Sequence, residues 1–399
     1  MVALDFVQTA AAAGLVLLLG HLIHRLFPVT ARYNLPAPVL GGLCVALVLT
    51  LGRQDGVQPL AFDTLLQAPL MVGFFTTLGF GASVRLLRSG GPQVLTYLVA
   101  CTILAVLQNV LGATVAWAFG LPPLFGVLAG SVTLTGGPGT GLAFAGAFEQ
   151  AGVSSAATVA VSAAMGGIVL GGLTGGPVGT WLIERYQLRP ALKAAPSAPT
   201  PELAATQPAS PDHPDLLKHV IILLLAMGLG VWVSKGFKAL DVTLPSYIGA
   251  MLVAAVLRNV DDKTGWLRLD EAMLDRLGNV SLSLFLALSL MTLRLWELSA
   301  VALPLLVMLA CQVVFMALVA ATVMFRVSGR DYDAAVMSGG LIGFMMGTTA
   351  NAMANMDALT RRYGPAPRAY LVVPMVGACF VDFTNAAIIT AALNLLRQN

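Results

Sequence analysis

The sequence predicts an all-α polytopic membrane protein, with about ten transmembrane helices in two inverted five-helix repeats that each carry a re-entrant broken hairpin. Three observations predict it. The chain is 57% hydrophobic and only 10% charged, with a mean hydropathy of +0.84, whereas a soluble domain is roughly 25% charged. Apolar runs long enough to cross a bilayer recur along its whole length. Two of its apolar stretches are interrupted by glycine-rich segments flecked with polar residues. Hydrocarbon cannot satisfy bare backbone groups, so such breaks persist only where protein buries them or where they line a cavity. Two breaks in corresponding halves are the sequence pointer to a transporter's substrate site.

Composition also excludes several classes. The net charge of +3 is too small to suggest nucleic acid. Cys44, Cys101, Cys311 and Cys379 lie in apolar stretches without CxxC pairing, so neither a disulfide frame nor a zinc site is indicated. Met1 to Asp5 carries no positive charge and no small-residue cleavage site follows, so the first apolar stretch is expected to be a retained span.

The expected spans lie near 6–27, 36–52, 66–84, 93–119 and 154–183, and again near 216–238, 244–260, 279–295, 299–325 and 369–396. Between the two sets, residues 187–214 are rich in proline and hold no Phe, Trp or Tyr. Such a segment buries too little apolar surface to fold and is expected to be a flexible linker. Three units follow: an N-terminal repeat over 1–186, the linker, and a C-terminal repeat over 215–399.

The halves resemble one another. Gly41-Gly42-Leu-Cys-Val-Ala matches Gly249-Ala250-Met-Leu-Val-Ala at an offset of 208, Phe75 to Arg85 matches Leu284 to Arg294 at 209, and Gly130 matches Gly339 at 209. A nearly constant offset along the chain indicates internal duplication. Charge then tests the topology, because Lys and Arg concentrate on the cytoplasmic side. If segments near 124–148 and 332–356 dip in and return, and the N-terminus is external, 17 of the 22 Lys and Arg fall inside. Only Arg53, Lys235, Lys238, Arg294 and Arg397 are left outside. If both dips crossed fully, 10 would fall inside and 12 outside. Re-entry is therefore expected, with both termini external and the linker cytoplasmic. Five crossings per half is odd, so the second repeat is inverted and a broken hairpin reaches the midplane from each face.

The first break runs from Ser131 through Thr133, Thr135, Gly136, Gly137, Pro138, Gly139 and Thr140 to Gly141. Its free backbone N–H groups and the hydroxyls of Thr133, Thr135 and Thr140 could cradle a carboxylate, and its carbonyls a cation. Glycines can instead serve close helix packing, the reading given to Gly41-Gly42, Gly166-Gly167 and Gly171-Gly172. A proline among so many glycines favours a true break. The second break carries Thr348, Thr349, Asn351 and Asn355. The two asparagines are four apart and share a face of any helix that resumes there. Their amides could bind a substrate amino or carboxylate group, or merely cap exposed backbone.

Asp382 sits near the middle of the last span with Asn385 about one turn on. A charge at bilayer centre costs about 2.5–3.5 kcal/mol on insertion scales, and a bound cation would offset that. Protonation or a hydrogen bond to a neighbouring helix is the alternative. Gln108, Asn109 and Gln312 also lie inside spans, where interhelical hydrogen bonds are commoner than ligands.

The chain resembles the bacterial sodium/glutamate symporter family from Leu35-Pro36 through the final span. The resemblance rests on Leu128-Ala-Gly-Ser-Val-Thr-Leu-Thr-Gly-Gly137 with Gly139-Thr-Gly141, on Val169-Leu-Gly-Gly-Leu-Thr-Gly-Gly-Pro177, and on Leu277-Gly-Asn-Val-Ser-Leu-Ser-Leu-Phe-Leu286. Tyr332-Asp-Ala-Ala-Val336, Ala354-Asn-Met356, Arg362-Tyr-Gly-Pro365, Val372-Val-Pro-Met-Val-Gly377, Asp382 and Asn385 extend it. It implies sodium-coupled uptake of L-glutamate across the inner membrane, with sodium as coupling ion and no enzymatic activity. It also implies a homodimer of elevator type, whose transport domain slides against a scaffold.

Two departures bear on substrate and coupling. Pro138 stands where the family's first hairpin carries histidine in Gly-Gly-His-Gly-Thr-Gly, and Thr348-Thr-Ala-Asn-Ala352 replaces Ala-Thr-Pro-Thr-Ala. The expected site places the anionic substrate between the tips, on Thr135, Gly136, Gly137, Gly139, Thr140, Gly141, Thr348, Thr349, Asn351 and Asn355. Sodium is expected beside Asp382, Asn385 and Thr133, where hard oxygen ligands suit it. The alternatives are another carboxylate or amino acid, with proton coupling through Asp382, or an ion channel. An intramembrane hydrolase is disfavoured, for no paired aspartates, Ser/His pairing or HExxH-like motif supports one.

Overall fold

The computed structural model describes residues 2–32, 34–52, 60–190, 214–238 and 246–396. Most of the expected linker thus lies outside the described residues. Fifteen helical segments carry the architecture. In the first half these are α1 (Phe6–Leu26), α2 (Ala37–Leu51), α3 (Gln67–Gly81), α4 (Gly91–Ala118), α5 (Pro123–Val132), α6 (Gly137–Gln150) and α7 (Ala156–Arg185). The second half supplies α8 (Pro214–Lys238), α9 (Ser246–Thr264), α10 (Glu271–Leu290), α11 (Ala302–Val327), α12 (Tyr332–Met345) and α13 (Thr349–Tyr363). It ends with α14 (Pro367–Met375) and α15 (Val381–Leu396), joined by a π turn over Val376–Phe380. The only β structure among the described residues is a two-residue parallel pairing of Val2–Ala3 with Leu60–Ala61.

Local chemistry sets the helix ends. Asp5 opens α1 through a capping box, accepting from the Gln8 N–H at 2.8 Å while its own N–H donates to the Gln8 side chain at 3.1 Å. Asp270 caps α10 by accepting from the Ala272 and Met273 N–H groups, and Asp331 caps α12 by accepting from that of Ala334. Pro138 falls in the first turn of α6, where a missing N–H costs nothing.

Six of the described helices are long and apolar enough to cross a membrane: α1, α4, α7, the 216–237 stretch of α8, α10 and α11. The other four expected spans correspond to helices that are short, charged or divided. Helices α2 and α3 are each 15 residues long, α9 carries Arg258, Asp261, Asp262 and Lys263, and the last span is divided by Pro374 and the π turn. Leu15, Leu18, Leu22, Trp117 and Trp232 point outward, an apolar surface that suits lipid.

Packing does not follow the sequence halves. One bundle gathers α1, α2, α3, α8, α9 and α10; the other gathers α4 to α7 and α11 to α15. Within the first bundle α3 packs on α9, and α10 packs on α2. Gly41 of α2 meets the Val16 carbonyl of α1, and Gly249 of α9 meets the Gly230 carbonyl of α8. Both glycines therefore serve a close helix contact of the same kind. The bundles meet across an apolar seam where Phe144 of α6 stands edge-on to Tyr247 of α9 at 5.3 Å. The chain passes from one to the other at 82–90 and 291–301, and α7 and α8 lie in different bundles.

A second glycine series builds the other bundle. Gly167, Gly171, Gly175 and Gly179 recur every four residues and line one face of α7. A Cβ on any of them would meet Met346, Asn355 or Leu359 at 3.0 Å or closer. Their bareness seats the second hairpin directly on the α7 backbone.

At the C-terminal end of α9, the Arg258 guanidinium pairs with Asp262 at 3.0 Å and with Glu271. Ser83 donates to Asp262 at 2.5 Å, and the Asn259 amide takes both the Val84 N–H and the Ala82 carbonyl. The connector leaving α3 is thereby fastened to α9. Asp261 organises the following turn by accepting from Leu267, Arg268 and Leu269 N–H groups at 2.7, 3.0 and 2.9 Å. Burial opposes its ionisation, but those three donors together with Arg258 prevail and hold the carboxyl below its ordinary value. A lowered folded value means that the stabilisation is present above the unfolded carboxylate range and lost as pH falls through the folded value. Hydrogen-exchange protection of the 267–269 amides is accordingly expected to persist at pH 5 and to collapse only below about pH 4. Asp261→Ala removes it at neutral pH.

Candidate functional site

Each break is a helix interrupted and restarted. The last turn of α5 is wound as a π turn over Leu128–Val132, and Gly130 leaves helical geometry altogether, at φ −96 and ψ −127. A side chain at Gly130 would come within 2.9 Å of the Asn109 amide oxygen, so glycine is what lets this turn unwind against α4. The chain restarts as α6 from Gly137, whose φ of +69 favours glycine. In the second break α12 ends at Met345, and Thr348 caps α13 by accepting from the Asn351 N–H at 3.3 Å. The two tips adjoin: a Cβ at Gly137 would lie 3.7 Å from the Gly347 carbonyl. Both restarting helices begin there, with first-turn N–H groups at the tips that no carbonyl of their own helix can reach.

Adjacent amides on α4 organise the surroundings. The Asn109 side-chain oxygen accepts from the Ser131 N–H at 2.9 Å, and the Asn385 amide of α15 donates to the Ser131 carbonyl at 3.0 Å. One unwound residue is thus held from two helices. Gln108 accepts from the Thr135 hydroxyl at 2.7 Å and donates to the Met345 carbonyl at 2.9 Å. Gln312 of α11 donates to the Gln108 carbonyl at 2.8 Å. All of these side chains are buried. The Ser131 hydroxyl and the Asn385 amide oxygen remain without a hydrogen-bond partner, which is costly for buried polar atoms.

The expected site residues fall into three sets. Thr135, Gly136, Gly137, Gly139, Thr140 and Gly141 gather at the first tip, with Thr348 and Thr349 at the second. Thr140 packs beneath Gly136, Gly139 faces Leu282 of α10, and Thr349 abuts Gly377 in the π turn. Asn351 and Asn355 turn instead toward α7. Asn351 donates to the Ile168 carbonyl at 2.7 Å; Asn355 donates to the Gly171 and Gly339 carbonyls at 3.1 and 3.3 Å. In this conformation both clasp the second hairpin to its support. Asn385 reaches the first break, whereas the Thr133 hydroxyl donates to the Leu128 carbonyl at 2.9 Å within its own unwound turn. Asp382 lies half-buried about one turn before Asn385, with no hydrogen-bond or ion-pair partner among the described residues.

Ser131, Gln108 and Asn109 join the site only in the structure. The signal for them was an adjacent pair of amides within an apolar span and a serine opening the break. The assembled site is rich in neutral oxygens. Among the described residues no three His, Cys, Asp or Glu side chains converge. That donor set suits a hard cation and a small polar solute rather than a transition metal.

Paired broken hairpins meeting inside a polytopic helical protein define the class of secondary transporters. The chain belongs to the sodium/glutamate symporter family, whose model matches residues 2–365. It is 40% identical to the sodium/glutamate symporter of Escherichia coli (strain K12) over 402 aligned positions, covering 98% of each chain. It is 38% identical to that of Haemophilus influenzae over the same share of both. Among solved structures, the sodium proton antiporter MjNhaP1 from Methanocaldococcus jannaschii aligns over 99% of each chain at 14% identity, with a TM-score of 0.46. These relatives are named as transporters, not enzymes.

Proposed function

We propose that this protein couples the sodium gradient to uptake of L-glutamate across the bacterial inner membrane by alternating access. The observation that carries the reading is the meeting of two broken-hairpin tips in the interior of a chain belonging to this family. The relatives' names supply the solute and the ion.

Ten crossings in two inverted repeats follow from the charge distribution, with external termini and a cytoplasmic linker. The exchanged packing of α3 on α9 and of α10 on α2 supports an internal two-fold relation. The bundle of α1 to α3 and α8 to α10 serves as scaffold. The bundle holding both hairpins moves against it along the apolar seam, with the 82–90 and 291–301 connectors as hinges. The working unit is a homodimer in lipid. Glutamate lies between the tips, its carboxylates on first-turn N–H groups of α6 and α13 and on the hydroxyls of Thr140, Thr348 and Thr349. Sodium lies by Asp382, Asn385 and Thr133. The unpaired buried oxygens of Ser131 and Asn385 support that placement, because a cation satisfies such atoms.

Coupling requires sodium to favour glutamate binding by about 1–3 kcal/mol, reciprocally. Each net positive charge imported gains about 2.3 kcal/mol per 100 mV. The test is labelled L-glutamate uptake into proteoliposomes with an inward sodium gradient, against a potassium-only control. Accumulation above equilibrium only with sodium is the expected result. Equal uptake in both would end the symport reading. Uptake driven by protons, or outcompeted by another acid, would shift it to the ion or solute that Pro138 and Asn351 favour.

A further inference from the structure

Gln108 makes the interhelical hydrogen bonds expected of it, and with them it touches both breaks. Its carboxamide is fully buried. It accepts from Thr135, at the end of the first unwound segment, and donates to the carbonyl of Met345, the last residue of α12. That carbonyl is among those a helix leaves unpaired at its C-terminus. The orientation of the amide is fixed by chemistry. A carbonyl can only accept, so the NH2 group must face Met345 and the amide oxygen must face Thr135. The Thr135 hydroxyl must then donate its proton to Gln108. What remains on the Thr135 oxygen is lone pairs, and the Met345 carbonyl oxygen lies 3.5 Å away.

We propose that Gln108 is a positioning residue of the transport site: it ties the two hairpin tips into one unit and fixes Thr135 as an acceptor. Thr135 and the Met345 carbonyl thereby present two oxygens to a cationic group rather than a donor to a carboxylate. Sodium and the α-ammonium of an amino acid share that chemistry. Gln312 supports the arrangement by donating to the Gln108 backbone carbonyl, holding α4 at this level against α11. This inference deepens the transport reading above and rests on it for the identity of the solute.

Gln108→Met keeps length and apolarity but makes neither bond, whereas Gln108→Glu makes both only when protonated. With purified protein in proteoliposomes, Gln108→Met is expected to raise the half-saturating concentration of sodium or glutamate by about tenfold or more, the effect of a buried bond left unmade. The maximal rate should change far less. A shift in the sodium constant assigns the oxygens to sodium; a shift in the glutamate constant at saturating sodium assigns them to the ammonium. Gln108→Glu should regain wild-type constants as pH is lowered, while the wild type shows no matching change. Hydrogen exchange, which needs no transport, gives a second readout: Gln108→Met should deprotect 133–137 and 345–349 together. Wild-type constants in Gln108→Met, a pH profile for Gln108→Glu parallel to wild type, or deprotection of one break alone would each overturn the proposal. If wild-type protein takes up no glutamate, the transport reading fails, and the exchange experiment still decides whether Gln108 joins the tips.

Discussion

Asp382→Asn is expected to abolish sodium-driven accumulation, lowering glutamate uptake at physiological sodium by about a hundredfold or more. The size follows from the setting. A carboxylate within an apolar helix costs about 2.5–3.5 kcal/mol to insert, and each 1.36 kcal/mol returned by a bound cation is about tenfold in rate or affinity. Asp382 has no protein cation or hydrogen-bond donor to offset that cost among the described residues, and Asn385 on the next turn is anchored to the first break. Asparagine keeps the shape and removes the charge, so the fold should survive while the ion is lost. Uptake at a series of sodium concentrations, on a variant with wild-type melting, measures this. An Asn variant with unchanged sodium dependence would remove Asp382 from the coupling site.

Gly126→Val is expected to have the largest effect on stability, about 3 kcal/mol or more, the upper range for forcing bulk into a packed contact. Gly126 of α5 and Gly112 of α4 face each other backbone to backbone. A Cβ on Gly126 would lie 2.0 Å from the Gly112 carbonyl oxygen, and one on Gly112 would lie 2.1 Å from the Gly126 oxygen. No flexible side chain can give way, so valine must wedge the first hairpin off α4 and pull Thr135 from Gln108. Thermal melting in detergent should fall and uptake should fall with it. Gly176→Ala is the control: nothing lies within 4 Å of its added methyl, and alanine in a helix is favoured over glycine by about 1 kcal/mol. A Gly126→Val protein that melts with wild type would show that the two backbones are not held this close.

The sequence alone determined the membrane class, both breaks and the family, because each is written in local signals. Hydropathy, charge placement, glycine-proline clustering and contiguous motifs need no knowledge of which helices touch. Helix starts at Asp5, Asp270 and Asp331 are local for the same reason, since a capping carboxylate binds backbone within three residues of itself.

Only the tertiary structure decided what the polar residues do. Asn351 and Asn355 share a helix face, as their spacing requires, but which neighbour meets that face depends on the bare glycine seam of α7. Gln108, an unremarkable amide in an apolar helix, became the bridge between the breaks because α4 passes beside both tips. The grouping of helices into two bundles that mix the sequence halves was likewise invisible. It is fixed by contacts between residues far apart in the chain, such as Gln108 with Met345, 237 positions apart, and Ser131 with Asn385, 254 apart. Periodicity tells which face of a helix is apolar; only close packing of all the helices tells what that face meets.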